Sequence, residues 1–151
     1  MAISLNTSYM KTLNTIIAAC LLASLSSCYE SLEERAQREA REYTEKYCPT
    51  PPDHSVITDS LVFDPATRTQ KYYLTFTGLI DDAAALAEHA PDIREELLEA
   101  VRGNTAMKAY KEAGFNFEYV CRSKKDPSRI LLHIVYRPRD YAAPERPVTS
   151  N

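Results

Sequence analysis

The chain has 151 residues, room for one ordinary domain, with 44% hydrophobic and 26% charged side chains and a net charge of −3. That balance excludes wholesale disorder, and the absence of a dense basic stretch excludes a nucleic-acid reader. Only three glycines leave nothing for a phosphate-cradling loop, while ten tyrosines without a tryptophan point to a β-rich core.

Met10-Lys11 opens a short positive start, and residues 12–27 then run without a charge. At about 16 residues, with Ser, Thr and Asn among them, this stretch is too short for a membrane-spanning helix of roughly 20. It ends in Leu25-Ser26-Ser27-Cys28, which resembles a bacterial lipobox, where the chain is cut before a cysteine that carries the acyl chains. The resemblance implies a signal peptide over 1–27 and lipidation of Cys28. The rival Ile17-Ala18-Ala19-Cys20 would cut the apolar region to a stub. Residues 1–9 read as a misassigned start or an unimportant extension. Acyl chains anchor a protein firmly at about 0.8 kcal/mol per buried CH₂. Tyr29 is not the Asp that resembles an inner-membrane retention signal, so the expected address is the outer membrane of a Gram-negative envelope.

Residues 29–47 repeat Tyr29, Leu32, Ala36, Ala40, Tyr43 and Tyr47 at steps of three and four, one thin stripe of an otherwise charged helix. Cys48-Pro49-Thr50-Pro51-Pro52 ends it. With Cys20 removed and Cys28 acylated, Cys48 and Cys121 remain, and an exported pair is expected to form a disulfide. Such a bridge would staple the thin helix to the sheet across a loop of about 70 residues, worth roughly 4 kcal/mol.

Two strands follow. Ile57 to Asp64 carries Ile57, Leu61 and Phe63 on one face with Asp59 intruding, and Lys71 to Thr77 alternates Tyr72, Leu74 and Phe76 against Lys71, Tyr73, Thr75 and Thr77. Asp64-Pro65-Ala66-Thr67 is the turn between them. The middle is helical. Asp81-Asp82 can cap a short run that Pro91 interrupts, and Asp92 can cap a second helix carrying Ile93, Leu97, Leu98 and Val101, stopped by Gly103-Asn104. Thr105 can cap a short helix that ends at Gly114.

A second hairpin closes the domain. Phe115, Phe117, Tyr119 and Cys121 alternate with Asn116, Glu118, Val120 and Arg122. After a turn at 124–128, Ile130, Leu132, Ile134 and Tyr136 share one face, and Leu131, His133, Val135 and Arg137 the other. This last strand is apolar on both faces, as an interior strand is. From Pro138 the chain reads as a disordered tail, residues 138–151. The fold class is α+β: a four-stranded, largely antiparallel sheet of two hairpins with helices packed on one face, in the order α-ββ-α(α)-ββ. The anchor and amphipathic helix take 28–48 and the domain 54–137.

The segments S-L-V-F-D-P, K-Y-Y-L-T-F-T-G and K-E-A-G-F-N-F-E-Y-V, with a helix before the last and a hairpin after it, resemble those of small Gram-negative envelope lipoproteins over residues 57–137. That resemblance implies a fold and carries no catalytic motif.

Catalytic chemistry is poorly supplied. His54, His89 and His133 fall in a loop, a helix and a strand, none at metal-ligand spacing, so neither a metal nor a cofactor is expected. There is no HExxH and no GxSxG. A Cys121–His133 pair would need both on one face, and alternation puts them on opposite faces. Asp81-Asp82 and Glu95-Glu96 are explained by helix capping and the helix dipole. Tyr73, Leu131, His133 and Val135 share a second face with Val62 and Val120; either the first helix covers it or it is a binding surface. The expected function is a non-catalytic, lipid-anchored module that binds a protein or envelope component through that face or a strand edge. A small apolar-ligand carrier or inhibitor-like domain is the alternative, and an enzyme the third reading.

Overall fold

The computed structural model describes residues 30–142; the lipobox and Cys28 lie outside them. The elements are α1 (Leu32–Tyr47), β1 (Val56–Asp64), β2 (Thr69–Phe76), a single 3₁₀ turn (Gly78–Ile80), α2 (Ala83–Gly103), α3 (Lys108–Glu112), β3 (Asn116–Ser123), β4 (Ile130–Tyr136) and α4 (Pro138–Tyr141). The four strands lie in chain order, with β1–β2 and β3–β4 antiparallel and β2–β3 parallel. The expected α+β class and two-hairpin sheet hold, with one parallel seam at its centre.

In β1 the expected face is broken by a bulge between Thr58 and Ser60. Without it, Asp59 would join Leu61 and Phe63 facing the core. The extra residue shifts the alternation, so Ile57 pairs with Thr75 on the outer face while Leu61 and Phe63 stay inside. Asp59 accepts a hydrogen bond from Thr75 Oγ1 at 2.7 Å instead of being buried. At the turn, Asp64 Oδ1 accepts from the Ala66 amide, closing an Asx turn.

Pro91 does not split the middle helix. Asp82 caps α2 by accepting from the Ala84 and Ala85 amides, and the helix runs through Pro91 to Gly103. Proline deprives the Ala87 carbonyl of its donor, but both residues are exposed, so water can take that place. Asp92 is therefore an interior residue rather than a cap. Nor does the chain become a disordered tail at Pro138: α4 forms there, and Tyr141 is buried, its hydroxyl donating to the Phe115 carbonyl at 2.7 Å, while residues 143–151 of the expected tail lie outside the described residues.

The core lies on one face of the sheet. Phe63 stacks on Phe115 with centroids 5.1 Å apart, and Tyr110 on Phe115 at 5.3 Å. Tyr72 stacks on Tyr119 at 4.9 Å, and Tyr136 meets Tyr119 edge-on at 6.0 Å. Such ring pairs add about 0.5–1.5 kcal/mol beyond burial.

α1 docks by a different means. Its stripe supplies only Ala36 and Ala40 to the core, and these small residues let the helix approach β1 closely. Thr44 Oγ1 then accepts from the Leu61 amide and donates to the Leu61 carbonyl, both at 2.8 Å. Beyond the helix, the Thr50 amide donates to the Thr58 carbonyl and Thr50 Oγ1 accepts from the Thr58 amide, both at 3.0 Å. Asp53 and Val56 exchange a further pair of backbone bonds. Thr44, Thr50 and Asp53 thus seal the outer edge of β1. Glu33–Arg68 at 3.0 Å and the Tyr110 hydroxyl donating to Glu39 at 2.6 Å fix the near end of the helix.

Thr44→Val keeps the shape but leaves both Leu61 backbone groups without their partner. Urea unfolding should show a loss of about 1–3 kcal/mol, while Glu42→Ala on the exposed face should stay within about 0.5 kcal/mol. Equal losses for the two would contradict the edge seal.

Candidate functional site

Cys48 and Cys121 are not bridged. Both are free thiols, Cys121 buried within β3 and Cys48 half-buried after α1. The register explains the separation. Cys121 aligns with Leu74, Leu74 with Thr58, and Thr58 with Thr50. Three strand spacings put Thr50 on the order of 14 Å from Cys121. Two residues of chain cannot bring Cys48 back within the roughly 4.4–6.8 Å Cα range a disulfide needs. The helix that the bridge was expected to staple is held by Thr44 instead. Burial pushes the Cys121 thiol up to about 12, and burial followed by the nearby Asp59 charge raises that of Cys48.

Of the four residues expected to bind, Tyr73, His133 and Val135 share the outer face, whereas Leu131, the extra residue at the irregularity in β4, packs against the core. Val120 pairs with Tyr73 on one side and His133 on the other, and Val135 lies opposite Glu118. The face is laced with charge: Asp64 to Lys71 at 3.2 Å, Lys71 to Glu118 at 3.8 Å, and Glu118 to His133 at 2.8 Å. The hydrogen bond that Lys71 donates to Asp64, opposed by partial desolvation, raises the Lys71 pKa. α1 packs along the β1 edge and sends its buried alanines to the opposite face, so among the described residues no helix covers the outer face. It is a polar-laced surface with apolar patches rather than a pocket.

The concave site lies on the inner face and was not singled out by sequence. α2 buries only Leu86 and Val101, near its two ends. Between them Ile93 and Leu97 stand half-buried over a groove of about 640 Å³, with Val56, Leu74 and Phe76 as the floor and Ile80 at one end. Asp53 and Glu96 stand on its rim. A second hollow of about 350 Å³, lined by Tyr43, Thr50, Pro51 and Thr58, shares Asp53 and Val56 with it. This hollow reaches Tyr43 near the end of α1, where the Tyr43 and Tyr47 rings meet at a tilt with centroids 5.3 Å apart. The groove's signal in the sequence was an apolar stripe on α2 with no matching stripe on α1.

This groove holds no catalytic set. Cys121 lies in its wall, but its thiol is held protonated, and His133 is on the far side of the sheet. His54 is nearly fully exposed and pairs with Asp53 at 2.9 Å. Glu95 and Glu99 both approach Arg102, and Asp82 is engaged as a cap. Asp81 is buried; the Ser123 hydroxyl, then the Lys125 amide at 3.0 Å, hold its carboxyl below the usual range. That carboxylate ties the 3₁₀ turn to the β3–β4 turn. Among the described residues no cluster could hold a metal ion, and no helix is long and apolar enough to cross a membrane.

Residues 31–132 match the family described as domain of unknown function DUF8479. The chain belongs to that family. No curated protein matches it. Three solved structures share the fold. One, from Pseudomonas aeruginosa and described as secreted, has a TM-score of 0.62 at 13% identity, covering 74% of this chain and 93% of its own. A pilotin of the Vibrio vulnificus type 2 secretion system, EpsS, has a TM-score of 0.59 at 9% identity, covering 75% and 94%. The type II secretion pilotin AspS from Vibrio cholerae gives 0.55 at 10%, covering 72% and 91%.

On native protein at neutral pH, iodoacetamide should modify Cys48 and spare Cys121, which reacts only after denaturation. Mass spectrometry after alkylation without reductant reads both outcomes. Two thiols blocked until reduction would restore the bridge.

Proposed function

We propose that this protein is a lipid-anchored, non-catalytic module of the Gram-negative envelope, acting in the manner of a pilotin, and that it holds an apolar segment of a partner protein in the groove between α2 and the sheet. The groove carries the reading: half-buried Ile93 and Leu97 face Val56, Leu74 and Phe76 across an open space, with no nucleophile–base pair beside it. Apolar surface left this way gains roughly 25 cal/mol per Å² when a partner covers it. The shared fold with two secretion-system pilotins supports the same class of role. The Leu25-Ser26-Ser27-Cys28 segment supports the anchor. A volume of about 640 Å³ also suits a small apolar ligand, which is the second reading.

A photocrosslinking side chain at Ala100, on the groove wall, should give an adduct with an envelope protein in cells. Leu97→Glu should abolish that adduct while leaving the circular dichroism unchanged. An adduct that survives Leu97→Glu in a folded chain, or crosslinking from Tyr73 and none from Ala100, contradicts the groove. A lipid-sized adduct at Ala100 selects the second reading. For the anchor, the membrane-extracted protein should have a mass starting at Cys28 plus acyl chains; a retained N-terminus contradicts it.

A further inference from the structure

The sequence of β4, Ile130 to Tyr136, is that of an interior strand, apolar on both faces, yet β4 is the last strand of the sheet. Residues 130–136 have β3 on one side, and among the described residues no backbone group from elsewhere bonds to their other side. Ile130 is 52% exposed. The opposite edge is treated differently, with Thr44, Thr50 and Asp53 bonding to the backbone of Leu61, Thr58 and Val56 in β1. β4 carries no lysine or proline between Ile130 and Tyr136, and its one irregularity, the extra residue Leu131 between the Cys121–Leu132 and Arg122–Ile130 pairs, is confined to the start of the strand and leaves residues 132–136 regular. One edge is sealed and the other, more apolar one is left unpaired.

We infer that the β4 edge is a strand-addition site, and that its occupant is an extended segment of a partner polypeptide with acidic residues beyond each end of an apolar run. The backbone sets the first half of this. Only an extended chain offers alternating N–H and C=O groups to match an open edge, and side chains on both faces of β4 favour apolar neighbours. The charges set the second half. Arg129 and Arg137 bracket the strand and Arg122 stands beside Ile130 in the register, all exposed. None of the three forms an ion pair among the described residues. The same arginines disfavour a second copy of this chain. Symmetric antiparallel pairing about His133 would set Arg129 of each copy opposite Arg137 of the other, and like charges directly opposite destabilise a ladder. This site is separate from the groove, which lies on the inner face.

Two peptides of alternating valine and threonine test the inference, one closed at each end by paired glutamates and one by paired lysines. Each is titrated into the full chain, with backbone amide exchange followed residue by residue. The glutamate-flanked peptide should protect alternate amides of β4, and the lysine-flanked one should bind roughly threefold to tenfold more weakly, as two exposed ion pairs allow. The exposed double substitution Arg129→Glu, Arg137→Glu should reverse that order. Equal binding of both peptides, or no β4 protection by either in a folded chain, overturns the proposal. Protection of β4 that grows with protein concentration alone also overturns it, in favour of a second copy.

Discussion

The parallel pairing of β2 with β3 is the constraint from which the rest of the architecture follows. Two hairpins could have joined through a tight turn had the seam been antiparallel. A parallel seam requires the chain to leave the end of β2 and return to the start of β3 at the far end of the sheet, which takes a crossover of a dozen residues or more. The 3₁₀ turn, α2 and α3 are that crossover. Because the return runs along the inner face, α2 must bridge the sheet from end to end. It is fully buried only where it enters and where it leaves, at Leu86 and Val101, while Ile93, Leu97 and Leu98 between them pack against the core half-buried. The groove is the space left under a bridging helix whose middle is only partly packed.

The same seam puts β1 and β4 at the edges, and the chain treats them unequally. α1 is too poor in apolar side chains to dock by burial alone, so polar groups position it: the Thr44 hydroxyl on Leu61, and Glu39 under the Tyr110 hydroxyl. Burial works against the Glu39 carboxylate, but hydrogen bonds from Tyr110 and then Arg35 hold its pKa low. Those bonds serve two ends at once, since attaching the helix also consumes the backbone groups of β1 that would otherwise invite another strand. At β4 no such attachment is found among the described residues, and apolar side chains continue to the last strand.

How much was legible in the sequence follows from which physics is local. Period-two alternation placed all four strands within a residue or two, because side-chain direction in a strand is fixed by its neighbours along the chain. The Asp82 cap and the Asp64 turn were equally local. The errors came where a distant partner decides. Asp59 looked like an intruder because the bulge that removes it is visible only against β2. Pro91 looked like a helix breaker because nothing local shows that Ala87 faces solvent. β4 looked interior because its composition is interior, and only the strand order shows the vacancy beside it. The outer face was legible for Tyr73, His133 and Val135, while the irregularity that turns Leu131 toward the core shows only in the pairing with β3; the groove needed the tertiary path of α2.

The most direct test of this account is backbone amide exchange on the purified, unliganded protein, resolved residue by residue along both edge strands. The account predicts that the Thr58 and Leu61 amides exchange as slowly as those inside β2 and β3, because Thr50 and Thr44 hold them. Alternate amides of β4 should exchange orders of magnitude faster, at a rate close to local opening. Fast exchange at Thr58 and Leu61, or uniform protection along β4 in the isolated protein, would contradict the division into one sealed edge and one open edge.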